Sequence, residues 1–415
     1  MTKKTKNSIY AALDIGTSKI SCIVGKINNN QIEILGHFSQ LTKNVKKGYA
    51  INSGDIEKEI NFVIDNVAKK TNTEISNLII NATTTNSKSR FLKGLINVDN
   101  EKIDNLHIRS AINNSELYKY DEDLYSIHEV INHFDTDNEK KILNPKNLFC
   151  KNLIVNIYQL LISKNYYKSL KSILFNSNLN AEYFVASSFA SSLATLTKDE
   201  KLLGTICIDL GSGVTSVCVI ENNSLLFADA ISVGSNNITN DIVSGLNTTL
   251  ESAERLKTLY GSVFSNPSDE HEIIDVPVLG SDNNQLKQIS RSDLNSYIKP
   301  RVEETLELVR QKLKEYNLHK KRFRRVVLTG GGSLLEGVDE YTKIIFDSQV
   351  RIGYPVNIEL KDEAINKPQF SVLLGLLLYG FMKSNENDNF LLENREKNIK
   401  KQLFSGFFTW LDQYI

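Results

Sequence analysis

One short pattern occurs twice in this chain, and the repetition limits the folds open to it. The run Ile9–Ile15 suits a short strand; it carries Asp14 near its end and turns through Gly16, Thr17 and Ser18. Gly204–Leu210 repeats the arrangement 195 residues later, with Asp209 near its end and a turn through Gly211, Ser212 and Gly213. The surroundings repeat as well. The first copy is followed by strand candidates Ile20–Ile27 and Ile32–Phe38, a helix with Ile56, Ile60, Val63, Ile64 and Val67 on one face, and strand Leu78–Ala82. The second is followed by strands Thr215–Glu221 and Ser224–Ile231, helix Asn237–Leu246 and strand Arg325–Thr329. The same order of strands and helix, met twice, predicts two α/β lobes with a cleft between them.

Each lobe is interrupted. The spacing predicts a first core from residues 8–82 and 163–200, with 83–162 inserted, and a second from 201–240 and 325–383, with 241–324 inserted. Within the first insert a polar stretch runs from Phe134 to Lys141, and the strand-like Leu153–Ile162 closes it. Helices Tyr166–Phe175 and Ala186–Leu196 follow. The second insert reads as mostly helical. Its main feature is an amphipathic helix, Arg291–Tyr316, with Leu294, Ile298, Val302, Leu306, Val309 and Leu313 in step, and Pro300 either kinks or breaks it. Residues 384–398 have the composition of a flexible linker, and 399–415 form a last segment.

Composition narrows the function. Lys+Arg and Asp+Glu both number 49, which argues against a nucleic-acid binder working through bulk charge and leaves open only a local basic patch. No apolar run reaches the ~18–20 residues that span a bilayer, and the basic start MTKKTKNSIY is not followed by an apolar block, so it does not read as a secretory signal. Cys22, Cys150, Cys207 and Cys218 include no CxxC pair, which argues against structural zinc and for a reducing compartment.

The turns carry the chemistry. Hairpin turns rich in Gly, Ser and Thr present N–H groups and hydroxyls to phosphate oxygens, and glycine permits close approach. Two carboxylates at the base of opposing turns suit Mg²⁺ held through water. A third turn, Leu328-Thr329-Gly330-Gly331-Gly332, lies between a strand and a helix and lets a flat base or a phosphate near the backbone. Glu254 and Lys257 share a helix face, which taken alone is an ordinary surface ion pair.

Together these motifs resemble the actin, sugar kinase and heat-shock chaperone superfamily, and within it the FtsA family of bacterial cell-division proteins. The stretches AALDIGTSKISCIVGKI, LTKDEKLLGTICIDLGSG, LTGGGSLLEGVDEY, VRIGYP and QFSVLLGLLLYG carry the likeness, as does IHEVINHFDTDNEKKILNP in the insert. The resemblance implies a bilobal actin-like fold of the duplicated ribonuclease-H-like type, an FtsA-type inserted subdomain, and ATP with Mg²⁺ between the lobes. By position, Asp14 and Asp209 are the metal-side carboxylates, Gly16, Thr17, Ser18 and Lys19 the first phosphate loop, and Gly211, Ser212 and Gly213 the second. Glu254 and Lys257 take the ribose and adenine, with Gly330, Gly331 and Gly332 beneath the nucleotide. It also implies filaments of the chain itself, docking of the C-terminal tail of FtsZ on residues 241–324, recruitment of other division proteins, and a place on the cytoplasmic face of the inner membrane at the division site. Arg291 and Arg301 are the candidates to meet an acidic tail. Two departures stand out: Ser212 and Val214 replace a Gly and a hydroxyl, and Ser187-Ser188 stand where an acidic residue and Pro are usual. The catalytic residue is left unassigned, and at most slow ATP hydrolysis is expected. A pilus-assembly adaptor related to FtsA and a small-molecule kinase of the same superfamily are the alternatives.

The last segment makes a separate argument. On a helical wheel, Leu403, Phe404, Phe407, Phe408, Trp410 and Leu411 fall on one side, and Lys397, Lys400 and Lys401 cluster at the start. Such a helix suits the interface of an anionic bilayer.

Overall fold

A computed structural model describes residues 9–28, 31–117, 121–279, 286–318, 323–358, 360 and 362–390. The first lobe opens as an antiparallel meander of β1 (Ile9–Ile15), β2 (Lys19–Asn28) and β3 (Gln31–Leu41). Two-residue strands β4 (Val45–Lys46) and β5 (Tyr49–Ala50) lead to α1 (Ser53–Thr71), which Asn52 caps by accepting the Gly54 N–H. Its stripe Ile56, Ile60, Val63, Ile64 and Val67 is buried on the sheet, as the spacing predicts. β6 (Asn77–Ala82) then pairs parallel with β1.

An inserted subdomain follows: β7 (Lys88–Asn97), α2 (Asn105–Asn113), β8 (Leu124–Thr136) and β9 (Asn152–Ser163). Its sheet has the order β7-β9-β8, and Ile108, Ile112, Phe134, Leu153 and Val155 give it a core of its own. The chain returns through α3 (Lys164–Asn176) to β10 (Asn180–Ala186), which pairs parallel with β6. Helices α4 (Ser187–Thr195) and α5 (Lys198–Leu203) cross to the second lobe.

There the meander recurs as β11 (Thr205–Leu210), β12 (Thr215–Glu221) and β13 (Ser224–Ile231). Helices α6 (Ser235–Leu246) and α7 (Leu250–Tyr260) come next, then a hairpin of β14 (Ile273–Pro277) and β15 (Leu286–Ser290) within the stretch read as mostly helical. Helix α8 (Arg291–Glu315) runs through Pro300 without a break. Its apolar stripe packs into the core of the second sheet, with Ile206, Ile208, Val217 and Val219. β16 (Arg325–Thr329), α9 (Val338–Phe346), β17 (Gln349–Ile352) and α10 (Ser371–Phe390) complete the described chain. The backbone of α10 stays helical to residue 390, inside the stretch expected to be linker from 384.

The two large sheets have strand orders β10-β6-β1-β2-β3 and β13-β12-β11-β16-β17. Read from the third meander strand, both run third, second, first, then two parallel strands. The sequence duplication is thus a structural one. Between the lobes lies α4. Ala190, Leu193 and Ala194 join Ala12, Ile23, Ile79 and the apolar face of α10, while the helix ends meet Cys207 and Cys218 of the second sheet. Among the described residues no helix is long and apolar enough to cross a membrane.

Candidate functional site

Because β1 and β11 are central strands with the same hairpin after each, their ends project into the cleft as a pair. Gly16 N–H donates to Lys19 O at 3.0 Å and Gly211 N–H to Val214 O at 3.0 Å, closing the two turns in like manner. The turns touch: a Cβ on Gly213 would lie 2.6 Å from Thr17 Oγ1, so a larger residue would have to displace the Thr17 side chain. Thr17 Oγ1 also accepts the Gly48 N–H at 3.3 Å. The second turn is stitched to α6, since Gly211 O and Ser212 O accept the N–H groups of Ser235 and Asn236 at 3.0 and 2.8 Å.

Asp14 and Asp209 are only 8% and 7% exposed. Burial pushes the Asp14 carboxyl up to about 6, opposed by Lys19. Burial pushes Asp209 up to about 7, and the neighbouring charge of Asp14 adds to the rise. Lys19 is itself lowered, by desolvation ahead of the opposing pull of Asp14, and its ammonium stands 3.5 Å from the centroid of the Phe370 ring. Two carboxylates thus repel across the cleft with one partly desolvated ammonium beside them. That electrostatic deficit fits a divalent cation. Among the described residues no group of three or more His, Cys, Asp or Glu could hold a metal, so a cation here would need water and ligand oxygens to complete its shell.

The third turn closes over the same carboxylate. Gly330 has φ 80°, and a Cβ on it would fall 2.2 Å from Asp209 Oδ1. Gly331 differs: a Cβ there would meet nothing nearer than Gln369 at 3.8 Å, so the protein's own packing leaves its face open. The buried hydroxyls of Thr83, Thr84, Ser188 and Thr215 have no hydrogen-bond partner. Of these, Thr215 begins β12 directly after the second turn. A mostly apolar pocket adjoins that turn, lined by Leu210, Thr215, Gly234, Ser235, Ile238, Gly332 and Leu335, with Val302 and Leu306 of α8 behind. Sequence reasoning missed Gly234, Ser235 and Thr215; the Gly-Ser step just before an amphipathic helix was the available signal.

Glu254 and Lys257 lie on α7 beside the start of α6. Lys257 Nζ donates to Glu254 Oε2 at 2.7 Å, Thr239 Oγ1 at 2.9 Å and Ser235 O at 3.3 Å. The ammonium is buried and ties α7 to the pocket rim, while the Glu254 carboxylate keeps half its surface in solvent. Arg291 and Arg301 stand apart from the cleft, and the chain's own acids occupy them. Arg291 pairs with Glu336 at 2.6 Å, Asp269 at 3.5 Å and Glu272 at 3.6 Å. Arg301 binds Asp241 at 2.6 and 2.9 Å and also pairs with Glu304. An acidic partner would have to compete with these carboxylates. Lys397, Lys400, Lys401, Leu403, Phe404, Phe407, Phe408, Trp410 and Leu411 lie outside the described residues.

Two sheets of one topology, facing carboxylates across a cleft bridged by a shared helix, define a protein of the actin-like class. Solved structures agree on the fold: the PilM–PilN type IV pilus biogenesis complex matches with a TM-score of 0.61 at 16% identity, covering 90% of this chain and 98% of that one. MreB5 of Spiroplasma citri bound to ADP matches at 0.58 and 12%, covering 92% and 98%. In sequence, the family described as "Cell division protein FtsA" matches residues 206–375. The "Cell division protein FtsA" of Agrobacterium fabrum is 30% identical over 386 residues, 90% of this chain and 87% of that protein. The chain belongs to the FtsA family of cell division proteins.

Proposed function

We propose that this cell-division protein binds Mg·ATP in the cleft between its lobes, assembles with copies of itself, and tethers FtsZ to the inner face of the cytoplasmic membrane at the division site. The observation that carries the nucleotide reading is the mutually repelling pair Asp14 and Asp209, buried at the bases of two touching turns. Mg²⁺ bound there would neutralise phosphate charge. In this reading the N–H groups of Thr17, Ser18 and Lys19 on one side, and of Ser212 and Gly213 on the other, donate to phosphate oxygens, with the Lys19 ammonium beside them, while Gly16 and Gly211 use theirs to close the turns and let the phosphates approach. Gly330, Gly331 and Gly332 let the backbone come close beneath a nucleotide, and Glu254 and Lys257 border the side where its ribose and base would lie. Hydrolysis is proposed to be slow. No carboxylate stands at Ser187-Ser188 to orient water, and Val214 offers no hydroxyl.

Calorimetric titration of the full chain with ATP, with and without Mg²⁺, tests this reading. Expected is binding that weakens markedly without the metal, and steady-state turnover below ~10 s⁻¹, the median for enzymes. Equal ATP affinity in EDTA would defeat the assignment of the two carboxylates.

For the tether, residues 399–415 are proposed to form an interfacial helix and residues 241–324 to receive the FtsZ tail, both by likeness to the family. Buried apolar side chains contribute roughly 1.5–3 kcal/mol each on full transfer, and Lys near anionic lipid about 1 kcal/mol each. Trp410→Glu is therefore expected to leave the protein, and FtsZ with it, in the supernatant when anionic vesicles are pelleted, while Mg·ATP binding persists. Co-pelleting undiminished by the substitution would rule out this helix as the anchor.

A further inference from the structure

His128 is a buried side chain that the cleft does not use directly, yet it joins the insert to the cleft. It lies on β8, where a bulge between Ser126 and His128 shifts the pairing with β9 and re-aims the side chain. Its Nε2 accepts the Ala186 N–H at 3.0 Å, although Ala186 belongs to the first lobe at the junction of β10 and α4. That N–H precedes a helix with no side-chain cap, so the imidazole supplies the partner the local sequence lacks. The ring is held edge-on to Phe189 of α4 and Tyr379 of α10, with centroids 5.1 and 5.9 Å away. It is 4% exposed, and burial pushes its pKa down to about 3, so Nε2 stays an acceptor at neutral pH.

From Ala186 the connections run on to the carboxylate. The next residue, Ser187, is reached by Asn81 Nδ2 at 3.4 Å and donates to Ala82 O at 3.4 Å. Asn81 Oδ1 accepts the Ile15 N–H at 2.8 Å, clamping the end of β1 between Asp14 and Gly16. A chain of polar contacts, part-buried at Ser187 and continued through the Ala186–Ser187 peptide, thus links the inserted sheet to the strand end that presents Asp14.

We propose that His128 is a positioning residue through which the inserted subdomain holds the start of α4, and by way of Ser187 and Asn81 the end of β1, so that the insert helps set the affinity of the cleft for Mg·ATP. This rests on the nucleotide reading above. The insert also meets the second lobe, where Tyr158 Oη accepts the Ala228 N–H at 2.8 Å, and in that arrangement the His128 bond is its direct hold on the start of α4.

Two substitutions in the full chain separate positioning from bulk packing. His128→Phe keeps an aromatic ring and loses the acceptor; His128→Gln can place Oε1 near the position of Nε2. Calorimetry is expected to show Mg·ATP affinity about tenfold weaker in the Phe variant and within about twofold of wild type in the Gln variant, whatever the order of their melting temperatures. Wild-type affinity in the Phe variant, or equal losses in both, would overturn the proposal. Hydrogen exchange on the unmodified chain covers the case in which a variant does not fold. Mg·ATP is expected to slow exchange in peptides spanning 124–132 as well as 181–190, and unchanged exchange at 124–132 overturns it. Failure of the unmodified chain to bind Mg·ATP at all would instead remove the nucleotide reading, and this inference with it.

Discussion

Asp209→Asn is expected to move two measured quantities in opposite directions. The folded carboxyl sits at about 7 against an ordinary 3.8, raised by burial and then by the charge of Asp14. A group whose folded pKa is raised in this way contributes full stability below pH ~4 and loses that contribution as pH climbs through the folded value. Asp14, raised to about 6, follows the same sign within a lower window. Without a cation, then, the protein at pH 7.5 carries two buried charges that weaken it. Replacing Asp209 by the neutral isostere removes one charge and relieves the other. The expected gain is on the order of 2 kcal/mol at pH 7.5, absent at pH 4 where both carboxyls are protonated. The same change takes away half of the protein's anionic hold on a metal, and Mg·ATP affinity should fall by at least about tenfold. Denaturant melts at the two pH values, with calorimetry alongside, read both effects. A variant that is less stable at pH 7.5, or that binds Mg·ATP as the wild type does, would show that the pair does not hold a cation.

Gly375→Ala should cost stability out of proportion to one methyl group. The added Cβ would stand 1.7 Å from Ala190 O and 2.3 Å from its carbonyl carbon, which are backbone atoms of α4 that no rotamer change can move. Helix α10 would have to withdraw from α4, opening the layer in which Leu373, Leu374, Leu376 and Leu377 meet Ala12, Ile23 and Ile79. Overpacking of this kind costs about 3 kcal/mol, and the helix propensity gained from Ala, about 1 kcal/mol, does not offset it. A thermal melt of the variant checks this. An unchanged or higher midpoint would mean the two helices are not in backbone contact.

The residues that made the fold legible were those whose pattern is local. The stripe on α1 and the doubled Asp-x-Gly hairpin each announce their element within a few residues, and both large sheets follow from them. β7 was not legible, because its exposed face carries Phe91 and Leu95 on either side of Lys93, so polar and apolar residues do not sort onto opposite faces. The hairpin β14–β15 hid for a similar reason, with Ile273 and Leu286 exposed and only Ile274, Val276 and Ile289 buried. Asp14, Asp209 and Gly330 could be singled out from their Gly-rich turns in the sequence. Thr83, Thr215 and Ser188 could not, because an unpartnered hydroxyl becomes visible only when its neighbours in space are known. Arg291 and Arg301 show the reverse. Their charge is plain in the sequence, whereas the acids that hold them come from segments up to 60 residues away.

The contact between Gly213 and Thr17 has a mechanical meaning. With a Cβ position 2.6 Å from a threonine side chain, the two lobes meet at this point with no clearance left. At this point the two halves touch with no room for even a methyl group between them. A single methyl group at residue 213 would act as a shim, which either pushes the Thr17 side chain aside or sets the two turns apart by about its own thickness.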